Sequence, residues 1–281
     1  MAGWPGSEEV MKPAGTLPLR LSLAEKAGIV CFLAAAILLL LDSPLALLPP
    51  VIFLALCAIA PFLPRFSFYL PIISRGRTGT KSIALSFDDG PSPDSTPQLL
   101  RLLGRYDLRA TFFVTGERAL RYPQLLKEII ASGHSIGNHS FSHDSLLMLR
   151  SSKRLRRDIE QTQVILRRAG IIAHAFRPPV GVTNPRLKEI LADLDLYIVN
   201  FSCRIFDRGN KRIHGLSDKV LARIRAGDIV VLHDTMPADQ DHARYWLAEI
   251  ERLFQGLKAR DITVLPLEEM ISRPVMSIAH E

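Results

Sequence analysis

The sequence predicts a parallel α/β domain, its sheet open or closed into a barrel, preceded by a transmembrane helical hairpin. Three observations carry this. From Lys81 onward, short apolar runs of strand length alternate with amphipathic helical stretches, the pattern of a parallel sheet with crossover helices. Ahead of them stand two uncharged apolar runs, 27–41 and 45–63, divided by Asp42-Ser43-Pro44. Finally, the polar residues that interrupt the apolar pattern gather just after the strands, where parallel α/β folds collect their ligands.

Residues 1–26 mix Gly, Pro and charges of both signs and read as a tail. The segment 27–63 follows as two transmembrane helices, since a bilayer core needs about 20 helical residues and the first run can borrow Leu23 and Ala24. A cleaved signal peptide fits poorly: the apolar span is too long, and the Ala58-Ile59-Ala60 site runs into Pro61. Lys12, Arg20 and Lys26 precede the hairpin and Arg65, Arg75, Arg77 and Lys81 follow it, whereas the turn carries only Asp42. The positive-inside rule then favours the cytoplasm for both flanks and the domain that follows; with a single span instead, that domain would lie outside. Phe62, Phe66, Phe68 and Tyr69 mark a membrane interface at the start of a linker, 64–80.

The soluble domain spans 81–271. Strands are expected near 82–88, 109–114, 134–138, 174–177, 197–202, 228–232 and 262–265, and helices near 95–105, 117–131, 152–169, 184–192, 217–225 and 240–259. The helix over 152–169 opens at a serine and closes at Gly170. Residues 272–281 form a short tail. In a chain of 281 residues with 48% apolar content there is ample core for this domain. A net charge of +7 suits an anionic membrane surface, and no Arg/Lys tract interleaved with aromatics supports nucleic acid as a partner. The three cysteines, Cys31, Cys57 and Cys203, have no disulfide or zinc-finger spacing.

The chemistry-bearing residues fall at the ends of the expected strands. Asp88 and Asp89 end the first; side by side, two carboxylates repel unless a cation sits near them, so the alternative to a site is a solvated Asp-Asp-Gly turn. His139 and His143 follow the third, at a spacing that puts two imidazoles on one face of a helical turn, a common zinc-holding device. With one carboxylate they make a two-His, one-Asp set with open positions, the pattern of a catalytic metal site. Arg177 ends the fourth strand before Pro178-Pro179, which hold a guanidinium still against a carboxylate. Asp207 follows the fifth. His233, with Asp234 beside it, ends the sixth as a candidate acid or base, the alternative being a packed core histidine. His134 starts its strand, far from these groups, and His174, His214, His242 and His280 have no comparable context.

In this order the motifs resemble those of the polysaccharide deacetylases, family 4 of the carbohydrate esterases with the NodB homology domain. The resemblance rests on Ser86-Phe87-Asp88-Asp89-Gly90, His139-Ser140-Phe141-Ser142-His143, Arg177-Pro178-Pro179-Val180-Gly181 and Val231-Leu232-His233. It implies a distorted (β/α) barrel and a metal-dependent hydrolase that removes N-acetyl groups from an amino sugar in a polysaccharide or a lipid-linked glycan. It further implies a divalent ion, zinc, on Asp89, His139 and His143, with Asp88 as base, His233 as acid, Arg177 orienting Asp88 and Asp207 tuning His233. Pro179 and the backbone of Val180 would serve the oxyanion, and Val231 and Leu232 the acyl pocket. The chain departs from the family at Val180, often an aromatic, and at Arg208, where the fourth motif usually ends in Trp after the Asp; the latter favours an anionic substrate group. The implied partners are an N-acylated amino-sugar glycan and membrane lipid. The alternatives are a deformylase of a lipid-linked formamido sugar and an inactive membrane-anchored carbohydrate-binding protein.

Overall fold

The computed structural model describes residues 21–77, 79–205, 210 and 213–279. Two apolar helices come first. Helix α1 (Leu23–Leu40) starts at a capping box, in which Ser22 Oγ accepts from the Glu25 amide and Glu25 accepts from the Ser22 amide. Helix α2 (Leu48–Ile59) opens on Pro49-Pro50 and runs into a 3₁₀ turn, Ala60–Phe62. The two pack together, Phe32 edge-on to Phe53. Helix α1 begins four residues before the expected run because the capping box, outside that run, nucleates it. At about 27 Å it is long and apolar enough to cross a membrane. Helix α2 is shorter than the expected 45–63 span, because the turn uses 41–47 and Pro61 ends the helix geometry.

The domain that follows is a distorted parallel barrel. Its strands are β1 (Ile72–Ile73), β2 (Ser82–Asp88), β3 (Ala110–Val114), β4 (Ser135–Asn138), β5 (Ile171–Ala173), β6 (Ala175–Phe176), β7 (Tyr197–Val199), β8 (Cys203–Arg204), β9 (Ile229–His233), β10 (Thr263–Val264) and β11 (Met276–Ile278). The main sheet runs β1-β7-β6-β4-β3-β2-β9-β8, all parallel, with β10 added to the start of β2. The stretch 197–204 closes it: β7 pairs with β1 and β6, and then Ser202 and β8 join β9. An Arg75–Asp228 bridge and ion pair tie the same seam. Residues 64–80 and 272–281 therefore enter the sheets: the first supplies β1, and the second supplies β11, antiparallel to β5. Strands of two or three residues carry too little periodicity to be seen in sequence.

Around the barrel lie α3 (Thr96–Arg105), α4 (Gly116–Arg121), α5 (Pro123–Ala131), α6 (Ser152–Arg168), α7 (Leu187–Asp193), α8 (Leu216–Leu221), α9 (Gln240–Ala259) and α10 (Leu267–Ile271). The expected helix over 117–131 is two helices, because Pro123 cannot donate and starts a new one after Tyr122. Alternation along the strands splits the core. Ile83, Leu85 and Phe87 of β2 and Val230 and Leu232 of β9 face the helices, with Trp246 and Phe254 of α9. Ala84, Phe113, Ile229 and Val231 form a second cluster with Tyr197, Val199 and Phe201, on the inner side of the barrel. Asp88 and His233 follow Ala84 and Val231 at even spacing, so the inner side of the sheet delivers them at its carboxyl end.

His134 sits at the opposite end of β4, buried, with its Nδ1 accepting the Ala110 amide at 3.3 Å. Burial, then the charge of Arg109, pushes its pKa down to about 4. An imidazole kept neutral in the fold favours the folded state fully above its unfolded pKa of about 6.5, and that share is lost as pH falls through 4. Urea melts between pH 7 and pH 4 are therefore expected to show falling stability, and His134→Gln to flatten the fall.

Candidate metal and hydrolytic site

The site is assembled where β2, β4, β6 and β9 end. Arg177 lies just past β6 with no exposed surface and is held from five directions. Its Nη1 donates to Asp88 Oδ1 (2.6 Å) and to Ser86 Oγ (2.7 Å), its Nε to the Val199 carbonyl (3.0 Å), and its Nη2 to the Asn200 carbonyl (3.2 Å). Its guanidinium lies 3.9 Å from the centre of the Phe113 ring. Ser86 passes the contact on by donating to Val230 of β9. Burial disfavours the guanidinium charge and lowers its pKa; Asp88 is the opposing charge that makes such burial tolerable.

Asp89 follows with a left-handed φ of 72°, which turns its carboxylate away from Arg177 and toward two histidines. Its Oδ1 is 3.4 Å from His139 Nε2 and 3.1 Å from His143 Nε2. One donor atom from each of Asp89, His139 and His143 lies within 4.8 Å of the others. His139 Nδ1 is 2.8 Å from the Arg177 carbonyl; donating there, the ring turns the Nε2 lone pair toward Asp89. Asp89 Oδ1 is buried and has no hydrogen-bond donor. A carboxylate oxygen facing the Nε2 atoms of two imidazoles is a donor set that suits a divalent cation. Among the protein's own charges, burial works to raise the Asp89 carboxyl, but His139, His143 and His233 outweigh it and lower its pKa. Burial likewise works to lower His139, but Asp88, Asp89 and the Arg177 carbonyl raise it, whereas burial and the neighbouring His139 lower His143.

The His139–His143 spacing does not make a helical turn. The segment is a loop in which Ser140 (φ 67°) and His143 (φ 50°) are both left-handed, and the rings lie 5.0 Å apart. The helical turn expected from the spacing fails because buried side chains claim the loop's amides. Asn138 Oδ1 accepts from the Ser140 amide, and Asp158 on α6 accepts from the Phe141 amide (2.7 Å) and from Ser142 Oγ (2.8 Å). Asp234 plays the same part for 88–91. Its carboxylate accepts from Ser95 and Thr96 at 2.6 and 2.5 Å, its amide donates to the Asp88 carbonyl, and burial raises its pKa to about 6. A Cβ on Gly90 would collide with this carboxylate, so the motif needs glycine there.

Val231 lines a cavity of about 220 Å³ together with Asp88, Asp89, His139, His143, Val180, Gly181, Phe201, Arg204 and His233. Asp88 and His233 are register partners on adjacent strands. Leu232, expected in the acyl pocket, faces the helices and packs in the outer core, because a strand's alternate residues point opposite ways. Pro179 is buried in a 3₁₀ turn; Val180 (φ 53°) stands 40% exposed at the cavity, in a conformation a β-branched residue adopts only under constraint. Asp207 and Arg208 lie outside the described residues. The side chains that position the motifs carry no local sequence signal: Phe113 lies on the Arg177 guanidinium, Asn138 accepts the Ser140 amide while bonded to Gln163, and Asp158 accepts from 17 positions back; Arg204 is the cation the fold brings to the cavity.

A family model described as polysaccharide deacetylase matches residues 75–199. A chitooligosaccharide deacetylase of Sinorhizobium fredii is 34% identical over 209 residues, 72% of this chain and 90% of that protein. A peptidoglycan-N-acetylglucosamine deacetylase of Bacillus cereus is 36% identical over 194 residues, 68% of this chain and 88% of the relative. The crystal structure of a peptidoglycan N-acetylglucosamine deacetylase bound to 4-naphthalen-1-yl-N-oxidanyl-benzamide superposes with a TM-score of 0.66 at 28% identity, covering 73% of this chain and 94% of that one.

Asp158→Ala removes the acceptor that shapes the His139–His143 loop without touching a metal ligand. It is expected to weaken zinc affinity by about 10–100-fold, measured by competition with a chromogenic chelator.

Proposed function

The chain belongs to the polysaccharide deacetylase family, and on that premise we propose that its site hydrolyses the N-acetyl amide of an amino sugar carried on a membrane lipid. Members of the family are metal-dependent hydrolases of the acetamido C–N bond. The observation that carries the lipid-linked reading is where the hairpin lands. The Pro61 carbonyl accepts the Thr183 amide, and the Pro64 carbonyl accepts Asn200 Nδ2, which also donates to the Gly181 carbonyl. A Cβ on Gly181 would touch Pro64. The foot of the apolar hairpin thus braces the Val180-Gly181 loop that lines the cavity, and this supports a site held close to whatever bilayer the hairpin enters. With the tip of the hairpin in the bilayer, a glycan attached to a lipid headgroup reaches the cavity over a short distance. The cation Arg204 on the cavity wall suits an anionic linkage such as a phosphate.

In this reading both ends of the hairpin lie on one side of the membrane, and the positive-inside rule applied to the charges around it supports the cytoplasmic side. The substrate is then a lipid-linked precursor at the inner leaflet. The domains read as a hairpin over 27–63 and a catalytic unit over 81–271, with β1 and β11 stitched in from the flanks.

Zinc suits Asp89, His139 and His143, a borderline donor set of two imidazoles and a carboxylate. When bound, a divalent ion there supplies Lewis acidity to the acyl oxygen and to the attacking water. Asp88 commits Oδ1 to Arg177 and keeps Oδ2 toward the site, 3.8 Å from His139 Nε2. Oδ2 takes the proton of the water as its oxygen bonds to the acyl carbon. His233, on the neighbouring strand, protonates the nitrogen as the C–N bond breaks, releasing a free amine and a carboxylate. In this reading the Val180 amide donates to the developing oxyanion, and Val231, which lines the cavity, walls the acyl group.

Asp88→Asn is expected to lower kcat by at least about 10²–10⁴-fold with zinc content unchanged, measured by acetate release and elemental analysis. Persistence of activity would sink the base assignment. The detergent-solubilised protein is expected to deacetylate a polyprenyl-phosphate-linked N-acetylhexosamine faster than a soluble chito-oligosaccharide. Equal rates on the two would remove the lipid-linked reading and leave a polymer deacetylase. An N-formyl analogue in the same assay separates deformylation from deacetylation.

A further inference from the structure

We propose that the loop after the second histidine, 144–150, together with the first turns of α6, docks on the surface of an anionic phospholipid bilayer as a second membrane contact. The inference rests on the reading that the hairpin is membrane-embedded. Beyond residue 63, the exposed large apolar side chains among the described residues are Leu120, Leu146, Leu149, Val164, Val180 and Ile278. Four of them (Leu120, Leu146, Leu149 and Val180) lie on segments that follow β3, β4 and β6, at the end of the barrel that holds the site.

The loop is built to show Leu146 and Leu149. These are 54% and 77% exposed at either end of a sequence whose middle, Leu147 and Met148, is buried against Leu70 and Leu187. The Met148 carbonyl accepts from both Asn184 Nδ2 (2.9 Å) and Arg186 Nη2 (2.7 Å), and Asp144 is bonded to Arg150 Nε (2.8 Å). Two leucines held outward by a fixed backbone form an apolar edge, since loop tips free of such a role carry small or polar residues.

Cations surround that edge. Lys153, Arg154 and Arg157 are exposed on the first turns of α6 and line a cleft of about 460 Å³ with Phe141, Ser142 and Gln161. Charges of this sign at a helix start oppose its dipole, so helix stability does not explain them. Leucines flanked by Lys and Arg match the boundary between acyl chains and anionic headgroups.

The surface is also continuous with the hairpin. Tyr69 packs against the cluster of Leu147 and Met148 and against the cluster of Ala24, Ala60 and Phe68 at the hairpin foot. Thr183, which bonds Pro61, adjoins Asn184, which bonds Met148. The loop and the hairpin foot therefore belong to one continuous packed surface that a single bilayer can meet.

The test uses the full chain in vesicles of phosphatidylcholine mixed with anionic phosphatidylglycerol, which gives the surface a negative potential. Leu149→Trp is paired with Lys258→Trp, a control at the far end of the barrel beside Arg260, whose carbonyl bonds Lys81 ahead of β2. Doxyl-labelled lipid is expected to quench the tryptophan at 149 and leave that at 258 unchanged. Charge reversal at Lys153, Arg154 and Arg157 to Glu, or vesicles of phosphatidylcholine alone, is expected to cut the docked fraction by roughly tenfold or more. Flotation of the same samples reports the hairpin separately. Protein that floats with an unquenched tryptophan at 149 overturns the docking loop and keeps the hairpin reading. Protein that does not float overturns both. A spectral change at 149 with a soluble polyanion but no quenching by lipid would mean that the face binds an anionic polymer, and overturns the proposal.

Discussion

The buried Arg177–Asp88 pair is the contact on which the site depends. A guanidinium without solvent is tolerable only if its charge and all its donors are matched, and here the matching is spread over the barrel: Ser86 and Asp88 on β2, the Val199 and Asn200 carbonyls past β7, and the Phe113 face from β3. The carbonyl of the same residue fixes the tautomer of His139. One residue thus registers four strand ends and holds one aspartate through its side chain, and orients a histidine of the candidate metal set through its carbonyl. Because Arg177 occupies a single oxygen of Asp88, the other stays directed into the site.

Around this pair several residues of the candidate site have a left-handed backbone. Asp89, Ser140, His143 and Val180 all have left-handed φ, which side chains larger than glycine's seldom adopt. Each strained segment is held by buried groups that do no chemistry themselves: Asn138 and Asp158 for the histidine loop, Asp234 with Ser95 and Thr96 for the aspartates, and the hairpin foot with Asn200 for Val180. The apolar hairpin is therefore also a structural support of the loop that carries Val180 and lines the cavity.

Much of this was legible in the chain. The strand 82–88 and the helix 240–259 stand at their expected bounds, because a continuous buried run between breakers and a long amphipathic period are strong local signals. The grouping of Asp89, His139 and His143 as candidate ligands was legible from its motifs, and the fold brings these three together. What failed to show were elements with little local pattern: β1, β8 and β11, the break at Pro123, and the loop form of 139–143, which depends on Asp158 contributed by the following helix.

The sequence by itself determined the residue types, their order after each strand and the apolar hairpin, since these rest on local periodicity and composition. Only the tertiary structure decided how the two aspartates divide, Asp88 to Arg177 and Asp89 to the histidines, because that follows from a left-handed turn at Asp89 and from partners 50 or more positions along the chain. The same holds for Leu232, sent to the outer core by strand pleating, and for the hairpin foot against Val180-Gly181. Those outcomes depend on which surfaces meet when the barrel closes, and no stretch of sequence carries that information alone.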